Sequence, residues 1–307
     1  MNHALSWKAA GSSRLRSEQR FSYAVIAPAL LIVFGVIVVP IFATLIYSVR
    51  NMSPLSSHYG EFAGLGFYIS TLRSAEFWQD LGRTLYFTVV STILETLIGI
   101  FVALLLNEKF FGVKFLRTII IIPWALPTVI NASLWKLIFN GEYGVFNAIL
   151  QNLHIVETYR SWLGNPAAAM NMIIIGDAWK MTPLAVIFFL AALQTINRDL
   201  YEAALVDGAG AIKCFFVITL PYLRPTLMIV IIMRTVEKFK AFDIFYIMTR
   251  GGPSNSTKTL MYDAYLKAFT HLDYSGAATY AYLIAMVVMV LTALYIKAEK
   301  AGGRRID

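Results

Sequence analysis

Residues 198–221 read RDLYEAALVDGAGAIKCFFVITLP and lie between two long apolar blocks. Asp199 has the side chain of a good helix N-cap, and Glu202 follows three residues later, as in a capping box. Gly208 can adopt the left-handed conformation that ends many helices. A second helix is predicted over 211–220, where a proline follows. The stretch therefore predicts a short helix, a turn and a second helix, which form a rigid elbow between two apolar segments.

The composition of the chain indicates a membrane protein. Of its 307 residues, 58% are hydrophobic and 14% are charged, and the mean hydropathy is +0.64. These values lie outside the range of ordinary soluble domains. The net charge of +8 comes from lysines and arginines that flank the apolar blocks, which argues against nucleic-acid binding. The single cysteine, Cys214, is expected to be a small apolar residue without a disulfide or a zinc ion.

Several apolar stretches are expected to cross the bilayer as helices, because a span needs about 20 apolar residues. The first stretch contains no charged residue and is too long for a cleaved signal peptide. The predicted spans are 21–47, 84–106, 118–139, 170–193, 222–241 and 280–296. Pro221 and Pro225 are expected to interrupt or bend the start of the fifth span. Short helices are predicted between spans at 74–79 and 259–269.

The distribution of lysine and arginine predicts the orientation of these spans. Both residue types are denser in 1–20, 107–117, 194–214 and 297–307 than in 48–83, 140–169 and 242–279. By the positive-inside rule, the first set of segments is cytoplasmic. We therefore expect one six-helix domain over 21–296, between a cytoplasmic N-terminal segment, 1–20, and a cytoplasmic tail, 297–307, with both termini inside.

The elbow resembles a known family motif. Glu202-Ala203-Ala204, Gly208, Ile218 and Leu220-Pro221 reproduce the spacing of the EAA loop of binding-protein-dependent ABC importer permeases. This resemblance implies the type I ABC importer permease fold, with the first helix of the elbow docking on an ATPase subunit. It further implies that Glu202 is a polar anchor and that Gly208 forms the turn. The implied coupling residues are Glu202, Ala203, Ala204, Asp207, Gly208, Ala209 and Gly210.

A second set of residues resembles the carbohydrate-uptake branch of that family, the relatives of maltose and glycerol-phosphate permeases. It comprises Phe242-Asp243, Thr249, Gly251-Gly252-Pro253, Thr257, Leu260, Tyr262, Tyr265 and Ala268-Phe269. Upstream residues, including Ile122-Pro123-Trp124, Trp135 and Trp179-Lys180, are similar to the first of the two unlike permeases of this branch. The resemblance implies a sugar or sugar derivative as cargo. It also implies an outer loop, at Gly251, Gly252 and Pro253, that faces an external binding protein.

Ionisable residues within the predicted spans mark a candidate substrate path, because charge in a membrane usually faces the bundle interior. These residues are Glu95, Lys136, Asp177, Lys180, Arg234, Glu237 and Lys238. Arg234, Glu237, Lys238 and Ala241 share one helical face. The resemblance implies that this face lines the sugar cavity together with Lys180, Met181 and Leu184.

Two explanations of these charges stay open at this point. Arg234 and Lys238 can bind a phosphate, sulfonate or carboxylate on the cargo. Alternatively, Arg234 and Glu237 form a pair that only holds helices together. The sequence does not distinguish the two.

The sequence lacks the motifs of a catalytic subunit. It contains no Gly-x-x-x-x-Gly-Lys-Ser/Thr phosphate loop, no nucleophile elbow and no zinc spacing among its four histidines. We therefore expect a permease that is not an enzyme and binds no cofactor or metal, with ATP and magnesium on a separate ATPase pair. The expected partners are a second homologous permease, the ATPase dimer, an extracytoplasmic binding protein and the bilayer of the bacterial inner membrane. The alternative is a secondary transporter driven by an ion gradient, which would not need the EAA loop.

Overall fold

The computed structural model describes residues 22–303. In this part of the chain, helices joined by loops are the regular secondary structure, apart from one isolated β-bridge between Arg50 and Phe62. In chain order, the helices are α1 (Ser22–Val49), α2 (Gly66–Arg73), α3 (Ala75–Asn107), α4 (Val113–Ile119), α5 (Ile122–Ala125), α6 (Thr128–Ile138), α7 (Val145–Asn152), α8 (Pro166–Leu193), α9 (Arg198–Val206), α10 (Ala211–Phe239), α11 (Asp243–Met248), α12 (Leu260–Tyr265) and α13 (Tyr274–Gly303).

Five of these helices, α1, α3, α8, α10 and α13, are long and apolar enough to cross a membrane within the described range. A sixth candidate span is a bent pair, formed by Val113–Ala125 and α6. The all-α membrane architecture predicted from the sequence is therefore confirmed. The cytoplasmic location of both termini stays a prediction, and residues 1–20 lie outside the described part. Helix α13 continues to Gly303, so the predicted tail 297–307 begins inside a helix.

The third span differs from the continuous helix predicted over 118–139. Its two halves meet at an angle of 93° between Ala125 and Thr128. Leu126 is extended, with φ −70° and ψ 136°, and Pro127 follows it. A proline disfavours the helical conformation in the residue before it, and this steric effect explains the break.

Two helices begin earlier than predicted. The stretch 74–79 is not a separate helix, because Ser74 caps the 33-residue helix α3, its Oγ accepting a hydrogen bond from the Glu76 N–H at 3.2 Å. Helix α8 likewise begins at Pro166, after the N-cap Asn165. The predicted short helix 259–269 is present as α12 and a π-helical turn over 266–270.

The sequence predicts that Pro221 and Pro225 interrupt or bend the start of the fifth span. This span is one continuous helix from Ala211 to Phe239, so the two prolines do not interrupt it. A π-helical turn, Phe215–Thr219, directly precedes Pro221. The wider turn includes Val217, whose carbonyl lies four residues before Pro221 and would clash with its ring in a regular helix. The π turn thus lets the helix pass through the proline.

Helices α3 and α8 pack along each other at the centre of the bundle, α10 packs against both, and α13 packs against α1 and α10. One apolar cluster near Phe87 and Phe245 joins α3, α6, α8 and α11, and a second near Phe189 and Leu223 joins α3, α8 and α10. The apolar side chains of α1 stay exposed along its length, as expected of a helix that faces lipid or another membrane subunit.

Candidate functional site

The elbow begins with helix α9. The N-cap of this helix is Asn197, not the predicted Asp199. The Asn197 side-chain oxygen accepts a hydrogen bond from the Asp199 N–H at 3.1 Å. Asn197 has the extended backbone of an N-cap, with φ −66° and ψ 130°, whereas Asp199 already lies in the first turn. Glu202 is therefore not part of a capping box. The Asp199 carboxylate still stabilises the positive end of the helix dipole.

Gly208 ends the elbow helix, as the sequence predicts. Its φ of +76° lies in the left-handed region, which other residues adopt only with strain. Beside it, the Ala209 N–H donates to the Ala204 carbonyl at 2.9 Å, and the Gly208 N–H donates to the Leu205 carbonyl at 3.0 Å. These bonds satisfy carbonyls at the end of α9 and fix the direction of the chain into α10.

Most of the predicted coupling residues lie on the surface of the elbow. Glu202, Ala203, Asp207, Gly208 and Gly210 are exposed, Ala204 is half-buried and Ala209 is buried. The large apolar side chains of Leu205 and Val206 are also exposed, by 63% and 88%. On the inner side of α9, the Tyr201 hydroxyl hydrogen-bonds to Thr219 Oγ1 at 2.8 Å, which ties the elbow to α10.

The centre of the bundle contains a charged cluster, which we define as Glu95, Asp177, Arg234, Glu237 and Lys238. Arg234 donates from Nε to Glu95 Oε2 at 2.8 Å and from Nη1 to Glu237. Lys238 donates to Glu95 Oε1 at 2.5 Å and to Asp177. All members except Glu237 are buried, and the Glu237 side chain is 41% exposed. The cluster therefore joins the second, fourth and fifth spans.

One nitrogen of the Arg234 guanidinium has no acceptor in this arrangement. Its Nη2 is buried and has no hydrogen-bond partner among the described residues. A buried unpaired donor is unfavourable, so Nη2 favours an acceptor that approaches it.

Lys180 and Lys136 do not join the charged cluster. Lys180 is buried, and its Nζ donates to Thr128 Oγ1 at 2.9 Å, across to the start of α6. Lys136 is exposed and donates to the Ile247 carbonyl at the end of α11, also at 2.9 Å. The remaining predicted path residues are half-buried, and they are Met181, Leu184 and Ala241.

A polar face runs along α3, and apart from Glu95 its members were not predicted from the sequence. It consists of buried residues at helical spacing on the side that packs into the bundle: Thr84, Thr88, Ser91, Thr92, Glu95 and Thr96. The first three hydroxyls donate to the carbonyl four residues earlier in their own helix. Spacings of three and four residues in this helix were the signal that could have revealed the face.

The loop after α11 is tightly held. Gly251 has φ +79°, and a Cβ there would lie 2.8 Å from Tyr262 Cε1, so only glycine fits. The hydroxyls of Thr249 and Thr257 are 2.7 Å apart, and Thr257 also donates to the Gly252 carbonyl at 2.8 Å. Gly251 is buried, and Gly252 and Pro253 are half-buried, whereas Ser254 and Asn255 form the exposed tip. The sequence analysis did not single out these two tip residues.

A second ionic group, which we call the Lys258 cluster, lies beside this loop and was also missed. The ammonium of Lys258 pairs with Glu76, lies 3.2 Å from Asp263 Oδ1 and lies 3.4 Å from Asp80 Oδ2. The three carboxylates lie within 4.8 Å of one another, and the lysine supplies a positive charge to all of them. Burial alone would lower the pKa of Lys258, but the Glu76 hydrogen bond and the Asp263 and Asp80 charges raise it above its ordinary value.

A bundle of membrane-length helices, with buried charges at its centre and a helical elbow tied to one span, defines an integral membrane transport subunit. The chain belongs to the family of binding-protein-dependent transport system inner membrane components, whose model matches residues 95–298. This match includes the charged cluster, the elbow and the loop after α11. The predicted importer family and inner-membrane location are therefore confirmed.

Curated relatives are permease proteins of the same kind. The trehalose/maltose transport system permease protein of Thermococcus litoralis is 39% identical, over 92% of this chain and 95% of the relative. The sulfoquinovosyl glycerol transport system permease protein of Agrobacterium fabrum is 35% identical, over 89% and 88%. The sn-glycerol-3-phosphate transport system permease protein of Shigella flexneri is 30% identical, over 92% and 95%.

A solved structure has the same fold. A chain of a bacterial ABC transporter involved in the import of the acidic polysaccharide alginate superimposes with a TM-score of 0.79, over 95% of this chain and 99% of the other, at 22% identity. The predicted type I permease fold is confirmed, and so is the prediction of a permease subunit over a secondary transporter or an enzyme. A binding protein and ATPase subunits are the kinds of partner with which such importers work.

Proposed function

We propose that this chain forms half of the translocation path for a sugar or sugar derivative in an ATP-driven importer. A second homologous permease supplies the other half, and an ATPase dimer binds ATP and magnesium. An extracytoplasmic binding protein delivers the cargo to the outer side, where the loop at Gly251, Gly252 and Pro253 faces it. The sugars named for the relatives support the cargo class.

The observation that carries this proposal is the connection of the elbow to the fifth span. Helix α9 presents Glu202 and the apolar side chains of Leu205 and Val206 as a docking surface. The Tyr201–Thr219 hydrogen bond and the fixed turn at Gly208 transmit a displacement of α9 to α10. Because α10 continues without a break to Phe239, the displacement moves Arg234 and Lys238 in the charged cluster.

The coupling role is tested in proteoliposomes that contain the permease pair, the ATPase dimer and the binding protein. In the Glu202→Ala variant, we expect normal membrane insertion and a loss of binding-protein-stimulated ATP hydrolysis. Glu142→Ala is the matched control, because Glu142 is also exposed and lies in the loop between α6 and α7, whereas Glu108 lines the same cavity as Glu202. Wild-type stimulation in Glu202→Ala would refute the coupling role.

We also propose that the cargo of this path carries an anionic group. Arg234 is held on one side by buried Glu95 and on the other by half-exposed Glu237. A phosphate, sulfonate or carboxylate can replace Glu237 and also accept from the unpartnered Nη2. Lys180 adds a buried positive charge on the facing helix, with no carboxylate within 4 Å in the described part. Two relatives are named for compounds that carry a sulfonate or a phosphate group.

The alternative is that the charged cluster only holds spans together, and the relative named for trehalose and maltose is consistent with it. Uptake by the Arg234→Gln variant distinguishes the two, with a neutral sugar compared with its anionic analogue at equal binding-protein occupancy. Selective loss of the anionic cargo is expected. Lys114→Gln serves as the control, because Lys114 is an exposed lysine on α4, outside the cluster and outside the predicted substrate path. Equal loss of both cargoes, or no loss, would leave the structural role.

A further inference from the structure

Five aromatic side chains form a continuous group between α11 and α12, which we call the aromatic platform: Phe242, Tyr246, Tyr262, Tyr265 and Phe269. Phe242 is its centre, with ring centroids 4.4 Å from Tyr265, 5.3 Å from Tyr246 and 6.0 Å from Tyr262. Phe269 extends the group and lies 4.9 Å from Tyr265. Such distances are typical of favourable ring pairs.

The platform lies between two regions already assigned to the transport path. At one end, Phe242 directly follows Ala241, the last residue on the helical face of Arg234 and Lys238. At the other end, the Tyr262 ring packs against the backbone of Gly251 in the loop proposed to face the binding protein. The platform therefore connects that loop to the end of the helical face that carries Arg234 and Lys238.

Part of the platform is accessible, and its polar groups are uncommitted. Tyr246 is 39% exposed and Phe269 is 70% exposed. The hydroxyls of Tyr246, Tyr262 and Tyr265 make no hydrogen bond within residues 22–303. Burial and the neighbouring Tyr246 raise the pKa of Tyr262, whereas the positive charge of nearby Arg250 opposes the rise. Arg250 thus adds a positive charge near the Tyr262 hydroxyl.

This combination matches the chemistry of a sugar ring. A pyranose presents an apolar C–H face that stacks on an aromatic ring, and hydroxyls around its edge that exchange hydrogen bonds with phenols. An acidic sugar would in addition pair with a guanidinium. A purely apolar ligand would leave the three tyrosine hydroxyls without partners.

We infer that the aromatic platform is an outer subsite for a pyranose ring, which holds cargo between its release from the binding protein and its arrival at the charged cluster. The inference rests on the proposed sugar cargo. The subsite keeps released cargo from returning to the outside, so its loss lowers the number of cargo molecules imported per ATP hydrolysed.

The test uses the complete importer in proteoliposomes and compares Tyr246→Ala, Tyr246→Phe and wild type. Tyr246→Ala is expected to import about fivefold less saccharide per ATP, the scale of one lost ring contact, with binding-protein-stimulated ATP hydrolysis retained. Tyr246→Phe keeps the ring and is expected to stay closer to wild type than to Tyr246→Ala. Tyr143→Ala is the matched control, because Tyr143 is 65% exposed and belongs to no ring pair in the described chain.

Two results would overturn the subsite. The first is import and hydrolysis that both stay at the wild-type level in Tyr246→Ala. The second is a parallel fall of import and hydrolysis, which indicates that the platform anchors the chain at the membrane interface or contacts another subunit. If Tyr246→Ala does not assemble, Phe269→Ala gives the same readout at a more exposed ring. Absence of saccharide import by the wild-type complex would instead refute the proposed function.

Discussion

Glu95 on α3 and Lys238 on α10 form an ion pair in the core of the bundle, with 2.5 Å between Oε1 and Nζ. Their side chains are 0% and 2% exposed. The other oxygen of Glu95 binds Arg234, so one carboxylate neutralises two cations. Removing one partner of a buried ion pair leaves an uncompensated charge and costs about 3–5 kcal/mol. The cost of substituting a member of the charged cluster therefore depends on which ion pairs remain, and this asymmetry distinguishes its residues.

The first prediction follows from that asymmetry. Glu95→Gln leaves Lys238 paired with Asp177 and Arg234 paired with Glu237, whereas Lys238→Met leaves buried Asp177 without a cation. We expect Lys238→Met to lower the thermal midpoint of the detergent-solubilised complex more than Glu95→Gln does. Lys136→Met, outside the charged cluster, is the control. Equal effects of the two variants would show that Asp177 does not depend on Lys238 for its charge balance.

The second prediction concerns the turn of the elbow. Gly208→Ala places a side chain at φ +76°, which costs about 1 kcal/mol of strain relative to glycine. We expect this strain to reorient α9 and reduce binding-protein-stimulated ATP hydrolysis while insertion stays normal. Gly210→Ala is the matched control, because Gly210 has φ −73° and a Cβ there meets nothing within 4 Å. An equal response in both variants would mean that the turn geometry is not required.

The third prediction concerns the Lys258 cluster, which fastens the loop after α11 to the start of α3. Lys258→Met leaves Asp80 and Asp263 buried without their shared cation, so amide hydrogen exchange over 251–259 should accelerate and the thermal midpoint should fall. Lys240→Met, at an exposed lysine, is the control. Unchanged exchange would mean that the cluster does not hold the loop.

The raised pKa of Lys258 gives this effect a defined pH dependence. A lysine whose pKa is higher in the folded state stabilises the fold below its ordinary pKa of 10.5 and loses that contribution as the pH rises through the folded value. The difference in thermal midpoint between wild type and Lys258→Met should therefore decrease as the pH rises through the folded pKa of Lys258, in strongly alkaline solution. A decrease between neutral pH and the ordinary pKa would contradict the ion pairs as its source.

The fourth prediction concerns the second permease. One elbow serves one ATPase subunit, and the ATPases act as a pair, so we expect no uptake from proteoliposomes that contain this chain, the ATPase and the binding protein alone. Adding the second permease should restore uptake. Uptake without it would favour a homodimer of this chain.

The sequence revealed those features that depend on local pattern or on a spaced motif. The spans follow from apolar length, and the turn at Gly208 follows from a glycine after a short helix. Asn197 was missed as the cap because Asp199 is an equally good capping residue two positions later. The break at Leu126 was missed because prolines are common inside membrane helices, and their effect depends on neighbouring helices.

The pairing of charges could not be predicted, because it depends on contacts between distant helices. The sequence placed Arg234 and Glu237 on one face, but Glu95 lies 139 residues before Arg234. Lys258 was overlooked because it lies in a loop where a charged residue is ordinarily solvated. Its burial results from the approach of Asp80 and Asp263, which belong to separate helices.

The break between α5 and α6 also affects how lipid surrounds the subunit. Where the chain is extended at Leu126 and Pro127, the Leu126 carbonyl has no backbone hydrogen-bond partner in the described part of the chain, and hydrocarbon offers it none. If this joint lies at membrane depth, protein or water must cover it. The annulus of lipid around the subunit is then interrupted on that flank, and bulk lipid solvates only the sides formed by unbroken helices.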